Sequence, residues 1–153
     1  MKDLQNTPLL NTISALLENA RKSVVVAVNQ TMVLTYFEIG KTIVEDEQNG
    51  EHRAEYGKTL LKDLSLHLKE RFGKGFSVEN LDRMRFFYKT YSEQISSTLL
   101  TNSSNTISQT LSVKFNLSWS HYLKLMRIKD PNERKFYEIE SYKNNINKIL
   151  LTF

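Results

Sequence analysis

The segment formed by residues 72–91 constrains the fold of this chain more than any other stretch of its sequence. It reads FGKGFSVENLDRMRFFYKTY, with a helix stop at Phe72-Gly73, a five-residue turn and a helix start at Ser77. Glycine suits the backbone conformation that follows the last turn of a helix, and serine suits the position that caps the next one. The segment therefore predicts two helices joined by a tight turn, as in a helix-turn-helix unit.

Apolar residues recur at helical spacing on both sides of this turn. The helix before the turn presents one apolar face, made of Leu60, Leu61, Leu64, Leu68 and Phe72. In the helix after the turn, a helical wheel directs Leu81, Met84 and Tyr88 inward, whereas Phe86 points outward. Both helices are therefore predicted to bury one side in a common core.

A long helix is predicted near the start of the chain. Thr7-Pro8 supplies a cap and a first-turn proline, and apolar residues then recur at helical spacing to about Glu47. They lie on two sides of the helix, which is typical of a helix buried between neighbours. Two alternatives remain for so long a helix: a break near residues 29–31, or a surplus length that packs against a second copy of the chain.

The polarity of the chain changes at residues 96–116, where fourteen of the 21 residues are Ser, Thr, Asn or Gln. This composition predicts a flexible loop, although TLSVKF near its end alternates enough for one short strand, hairpin or wing. After the loop, Ser118 and Asp130-Pro131 predict the starts of two further helices. The last helix has an apolar face made of Phe136, Tyr137, Ile139 and Ile146.

These patterns predict an all-α fold of five or six helices. Residues 1–95 are expected to form a helical domain that contains the long helix and the helix-turn-helix-like pair. Residues 96–116 are expected to form the polar loop. Residues 117–153 are expected to form a C-terminal helical segment that packs on the same domain.

Composition excludes several kinds of site. The chain has no cysteine, which rules out disulfides, thiolate zinc sites and cysteine nucleophiles. Its three histidines are far apart without metal-ligand spacing, and no phosphate-binding glycine loop occurs. No metal and no cofactor are therefore predicted. No secretory signal and no bilayer-spanning run are visible, which predicts a cytoplasmic protein without membrane attachment.

One fragment, Glu133-Arg134-Lys135, matches half of the signature of metal-dependent PD-(D/E)xK nucleases. In that chemistry carboxylates hold a metal ion and the lysine lies beside the attacking water. The signature needs strand geometry, but this fragment falls in the first turn of a predicted helix, where the helix dipole favours an acidic residue. The sequence therefore does not predict an enzyme.

Basic residues gather in the later helices. The net charge is +4, and residues 58–92 and 114–148 each hold eight basic and four acidic residues. Basic and small polar side chains near a helix start can meet the phosphates and base edges of DNA. The predicted DNA contacts are Lys74, Ser77, Asn80, Arg83, Arg85, Lys89, Lys124 and Arg127.

Two features leave the role of this surface open. Glu79 and Asp82 would repel a phosphate backbone, and the outward Phe86 suits either a base or another subunit. Trp119 suits a core position better than stacking on bases. A packing or assembly role is therefore an alternative of equal weight to DNA binding.

Four blocks of the sequence resemble the N-terminal domain of the YhcG family of bacterial proteins, which are regarded as PD-(D/E)xK nucleases. The blocks are YFEIGKTIVEDEQNG (36–50), RAEYGKTLLKDLSLHLKERFGKGFSVENLDRMRFFYKTY (53–91), LSWSHYLKLMRIKD (117–130) and RKFYEIESYKNN (134–145). The resemblance implies a helical, DNA-binding domain that precedes a nuclease domain in full-length members. After Asn145 the sequence departs from the family and continues as INKILLTF, so the resemblance implies no nuclease activity here.

The function predicted on these grounds is that of a non-catalytic DNA-binding module of a YhcG-like nuclease. It would neutralise phosphates, so its binding should weaken as salt rises. The alternative is an oligomerisation or protein-docking module of a nuclease assembly. The predicted partners are therefore DNA, a second copy of the chain, and a nuclease domain or subunit.

Overall fold

The computed structural model describes the backbone of residues 7–49, 53–101 and 115–151. Within these residues five α-helices follow one another: α1 (Pro8–Gln48), α2 (Arg53–Phe72), α3 (Val78–Thr101), α4 (Trp119–Leu125) and α5 (Pro131–Leu151). A 3₁₀ turn, Lys74–Phe76, joins α2 to α3. The described residues contain no strand, which confirms the all-α class with a long first helix. The strand predicted at TLSVKF falls mainly on residues 110–114, outside the described part.

The helix starts predicted at Thr7-Pro8, Ser77, Ser118 and Asp130-Pro131 are confirmed, although the Ser118 side chain makes no capping hydrogen bond. The hydroxyls of Thr7 and Ser77 each accept a hydrogen bond from the amide three residues later, over 3.4 and 3.2 Å. The Asp130 carboxylate accepts one from the Asn132 amide over 2.9 Å. Each cap satisfies an amide that has no partner inside its own helix. Helix α2 stops at Gly73, whose φ of 92° is a conformation that favours glycine.

Helices α1 and α3 cross in direct backbone contact at Gly40. A Cβ atom built on Gly40 would lie 2.1 Å from the carbonyl oxygen of Met84 and 3.1 Å from the Cβ of Tyr88. A larger residue at this position would therefore push the two helices apart. The buried residues of α1 around the crossing follow helical spacing: Val33, Phe37, Ile43 and Val44.

Phe87 is the centre of an aromatic cluster that joins α3 to α1 and to the C-terminal segment. Its fully buried ring has its centroid 5.0–5.9 Å from those of Phe37, Tyr91, Phe115, Trp119 and Tyr122. These pairs are edge-on or tilted, the arrangements that the ring quadrupoles favour. Tyr122 belongs to α4 and Phe115 lies shortly before it, so the α4 region packs on the same core. The sequence pattern did not single out Phe87, although it did predict a core position for Trp119.

A smaller cluster holds α2 against the crossing. Leu61 of α2 packs with Ile43, Leu81 and Met84. The rest of the predicted α2 face is partly buried beside them, at Leu60, Leu64 and Leu68. Phe72 is the exception to that prediction, because the end of α2 leaves its ring 60% exposed next to Phe76.

Two faces that were predicted to be buried are exposed. Helix α1 is unbroken, but residues 8–28 include no buried side chain, so the prediction that its whole length lies between neighbours is wrong. The predicted face of the last helix is exposed at Phe136, Tyr137 and Ile139, while the Ile146 side chain lies outside the described part. The reason is common to both helices: periodicity identifies an apolar face but not what covers it.

Helix α3 is longer than predicted. Residues 96–101, expected to begin the polar loop, continue the helix to Thr101. Residues 102–114 of the predicted loop lie outside the described part. None of the described helices combines the length and apolar character that crossing a bilayer requires.

Replacing Gly40 by alanine should destabilise the protein by about 1–3 kcal/mol, because the added methyl group would overlap the Met84 carbonyl. Helix propensity alone would predict the opposite, a gain of about 1 kcal/mol. Urea unfolding followed by circular dichroism measures the difference. The control is Gly75→Ala, where an added methyl group meets no atom within 4 Å. Equal stability of the two variants would contradict the close helix crossing.

Two buried phenols should make the protein sensitive to alkali. Burial, with a contribution from the Glu138 carboxylate, raises the pKa of both Tyr91 and Tyr122 well above its ordinary value. Unfolded tyrosines ionise near pH ~10, whereas the folded ones stay neutral. The free energy of unfolding should therefore keep its full value below about pH 10 and decrease as the pH rises further.

Phenylalanine substitutions separate the two phenols. The Tyr122 hydroxyl accepts a hydrogen bond from the Asn116 amide over 3.1 Å, whereas the buried Tyr91 hydroxyl has no hydrogen-bond partner among the described residues. Tyr91→Phe should raise the free energy of unfolding by up to about 1 kcal/mol. It should also reduce the decrease in that free energy above about pH 10. Tyr122→Phe should lower the free energy of unfolding by about 1 kcal/mol at neutral pH, because the hydrogen bond from Asn116 is lost. Urea titrations at neutral and alkaline pH test this, and a larger neutral-pH loss in Tyr91→Phe would refute it.

Candidate nucleic-acid interface

The start of α3 is organised by the side chain of Asn80. Its amide nitrogen donates to the Gly75 carbonyl over 3.2 Å, and its oxygen accepts from the Arg83 guanidinium over 3.0 Å. The turn, the start of α3 and Arg83 are therefore held in position relative to one another. Because Asn80 is neutral, this hydrogen bond orients Arg83 without cancelling its charge.

Arg83 lies on the rim of a groove between α3 and the end of α4. The α3–α4 groove has a volume of about 460 Å³ and is lined by Arg83, Phe86, Leu123, Met126, Arg127 and Lys129. Three of these residues are cationic and the other three are apolar. Phe86 is 52% exposed, which confirms its predicted outward direction. The groove brings together Arg83 and Arg127, two predicted contacts from separate parts of the chain.

A smaller groove of about 290 Å³ lies beside the turn between α2 and α3. It is lined by Lys69, Gly73, Lys74 and Ser77, so the predicted Lys74 and Ser77 lie together here. The Ser77 hydroxyl already caps α3 by accepting from the Asn80 amide. The two lysines give this groove a positive charge, which suits a phosphate group.

Arg85 contacts other parts of the protein. Its guanidinium binds the Glu47 carboxylate over 2.6 Å and also pairs with Asp82, and its side chain is only 27% exposed. Partial burial opposes its charge, but the two carboxylates raise the pKa of Arg85 above its ordinary value. Arg85 therefore links α3 to the end of α1 instead of pointing towards a ligand. The same pairing neutralises Asp82, one of the two acids that disfavoured DNA binding in the sequence.

Lys89 and Lys124 are exposed but line neither groove. Lys89 lies almost one turn after Phe86 on α3, and Lys124 follows Leu123 on α4. The structure therefore brings neither lysine together with the other predicted contacts.

Sequence reasoning missed Lys69 and Lys129. Lys69 lies in the last turn of α2, four residues before Gly73, and Lys129 directly precedes Asp130. A basic residue next to a helix end is a signal that could have identified both. The sequence alone could not show that each lines a groove together with a predicted contact.

Glu133 and Lys135 are both exposed in the first turn of α5. Residues two apart on a helix point in different directions, so these side chains do not converge as the nuclease signature requires. In the part of the chain that the structure describes, no group of three or more His, Asp or Glu side chains could hold a metal ion.

Comparison with known proteins supports the resemblance found in the four sequence blocks. Residues 12–152 match the family described as the DUF1016 N-terminal domain. The match continues past Asn145, so the prediction that the sequence departs from the family there is wrong. A protein of Escherichia coli (strain K12) named "Putative nuclease YhcG" is 41% identical over 142 residues, which is 82% of this chain and 38% of that protein. The chain thus spans well under half the length of this relative. No solved structure matches the chain.

Proposed function

The chain belongs to the DUF1016 N-terminal domain family, and we propose that it is a non-catalytic DNA-binding module of a nuclease of this family. The α3–α4 groove carries the proposal, because Arg83, Arg127 and Lys129 line it together with the exposed ring of Phe86. Cationic and aromatic side chains in one groove fit a nucleic-acid strand, whose phosphates are anionic and whose bases stack on rings.

Phosphate binding is the first step of the proposed mechanism. Arg83 meets the strand from α3, in the orientation that Asn80 imposes, while Arg127 and Lys129 meet it from the end of α4. Each cation that neutralises a phosphate releases condensed counterions, so the affinity falls as the salt concentration rises. Lys74, beside the turn, offers a further phosphate position in the smaller groove.

Phe86 supplies a contact that phosphate binding alone does not provide. Its exposed ring shares the groove with Leu123 and Met126, which gives an apolar surface between the cations. An unpaired base can stack on such a surface, whereas a regular duplex keeps its base faces covered. We therefore expect the module to prefer single-stranded or locally opened DNA over intact duplex.

We assign the nuclease chemistry in the name of the Escherichia coli protein to the part of that protein that this chain does not match. The matched part is 38% of the relative's length. In this division of labour the module holds DNA and the remainder cuts it. A module of this kind acts in the bacterial cytoplasm, where DNA is accessible.

A second candidate function is docking of a nuclease domain or subunit, and the exposed face of α5 favours it. Phe136, Tyr137, Ile139 and Tyr142 are each 42–58% exposed on this helix. Four large apolar side chains on one short stretch are typical of a protein-binding surface. Failure of the chain to bind DNA at low salt would favour this docking role over the first.

The double variant Arg83→Ala/Arg127→Ala should bind DNA roughly 10–100-fold more weakly, because two phosphate contacts are lost. The slope of log affinity against log salt should also become shallower by about 1.4–1.8. Fluorescence anisotropy of a labelled oligonucleotide over about 50–200 mM salt measures both quantities. The matched control, Lys135→Ala/Lys143→Ala on α5, removes the same net charge from exposed positions. No binding by the unmodified chain at low salt, or equal losses in both double variants, would reject the proposal.

Phe86→Ala should weaken binding to a single-stranded oligonucleotide by about 1–3 kcal/mol, through the loss of base stacking. Its effect on duplex binding should be smaller, since duplex bases are not free to stack. The control is Phe136→Ala on α5, a similarly exposed phenylalanine, at 58%, that is outside the groove. The same anisotropy titrations measure both variants. Unchanged single-strand affinity in Phe86→Ala would argue against a base-binding groove.

A further inference from the structure

The N-terminal half of α1 extends beyond the core. Val33 is the first buried residue of α1, and residues 8–28, about 30 Å of helix at 1.5 Å per residue, include no buried side chain. Seven large aliphatic residues along one side are 40–66% exposed, and we call them the α1 stripe: Leu9, Leu10, Ile13, Leu16, Leu17, Val24 and Val28. Glu18, Arg21 and Lys22 are the only charged residues of this segment.

The α1 stripe is not a continuation of the face that packs in the core. On a helical wheel it lies on the side opposite Val33, Phe37 and Gly40. Beyond residue 28 the stripe's side of the helix carries the polar, exposed residues Thr31, Glu38, Thr42 and Glu45. The outward side of α1 is therefore apolar only where the helix leaves the core, which is the pattern of a surface covered by another chain.

The area of the α1 stripe is sufficient for a stable interface. Its seven side chains together expose on the order of 700 Å² per copy, close to the roughly 800 Å² that each partner contributes to an interface of standard size. In proteins most of the stability of a helix comes from the packing of its apolar face. A covering partner would therefore stabilise this half of α1.

The spacing on this side of α1 is that of a coiled coil. Steps of three and four residues alternate through Leu10, Ile13, Leu17, Ala20, Val24 and Ala27. The first three side chains are large and the last three are smaller. Two copies paired in parallel would set leucine against leucine at one end and alanine against alanine at the other. One separation of the helix axes could not suit both ends.

Antiparallel pairing removes this conflict. About a twofold axis between Leu17 and Ala20, those two residues face each other, Ile13 faces Val24, and Leu10 faces Ala27. Each layer then combines a larger with a smaller side chain, which fills the interface evenly. The twofold axis repeats every layer, as an interface between identical surfaces requires.

The same register keeps the two cores apart. It sets Gln30 of one copy level with Thr7 of the other, immediately before the partner's α1 begins at Pro8. Gln30 hydrogen-bonds Asn116, so the folded core begins at about this level of α1. Each stripe is thus covered over its length, and the partner helix ends before it reaches the core.

We infer that the α1 stripe binds a second copy of this chain, as an antiparallel two-helix coiled coil with its twofold axis between Leu17 and Ala20. This surface lies on a different part of the molecule from the α3–α4 groove, and the inference does not depend on DNA binding.

Light scattering of the full chain over a concentration series tests the dimer. The mass should be twice that of one chain, and Leu17→Glu should raise the dimer dissociation constant by on the order of 100-fold or more, because each dimer loses two buried leucines. The matched control is Ala15→Glu, which adds the same charge to an exposed position on the opposite side of α1. A monomer at every concentration, or equal effects of the two variants, would overturn the inference.

Disulfide trapping tests the antiparallel register, since the chain contains no cysteine of its own. A mixture of the single variants Ile13→Cys and Val24→Cys should form a mixed disulfide under mild oxidation. Each variant alone should not crosslink, because equivalent residues of the two copies would lie roughly 16 Å apart along the helices. Crosslinking of each variant with itself, without the mixed product, would indicate parallel pairing and overturn the register.

Discussion

The backbone contact between Gly40 of α1 and Met84 of α3 sets the positions of the other helices. Because no side chain separates the two helices at this point, Phe37 and Phe87 meet on one side of the crossing. Phe115 and Tyr122 pack on Phe87 within the aromatic cluster, and the contact of Tyr122 places α4 against α3. The α3–α4 groove is therefore a consequence of a helix crossing that only glycine permits.

The two arginines near the start of α3 have different roles although they are only two residues apart. Arg83 hydrogen-bonds the neutral Asn80 and keeps its charge available at the groove. Arg85 pairs with Glu47 and Asp82, which joins α3 to α1 and neutralises an acid on the outward surface. The outward surface of α3 is thus more positive because Arg85 pairs with Asp82 and offsets its negative charge. A polyanion would contact Arg83 directly, and Arg85 would favour its binding indirectly by offsetting the charge of Asp82.

Helix α1 has two different uses along its length. Its second half supplies Phe37, Gly40 and Ile43 to the core, and the opposite side of that half is polar. Its first half reverses this pattern, with an apolar outward side that the rest of the described chain does not cover. A single rigid helix can in this way join the core that holds the α3–α4 groove to an assembly surface. The two proposed activities, DNA binding and self-association, would then use separate surfaces and could be removed separately by mutation.

The sequence by itself determined where α1, α3, α4 and α5 begin, that Phe86 and Arg83 point outward, and to which family the chain belongs. A cap at Thr7, Ser77 or Asp130 acts on an amide no more than three residues away, so it can be recognised locally. Only the tertiary structure decided that Arg83 shares a groove with Arg127, that Arg85 is used internally, and that the predicted faces of α1 and α5 are largely exposed. These outcomes depend on contacts between residues distant in the chain, and helical periodicity contains no information about which partner will cover an apolar face.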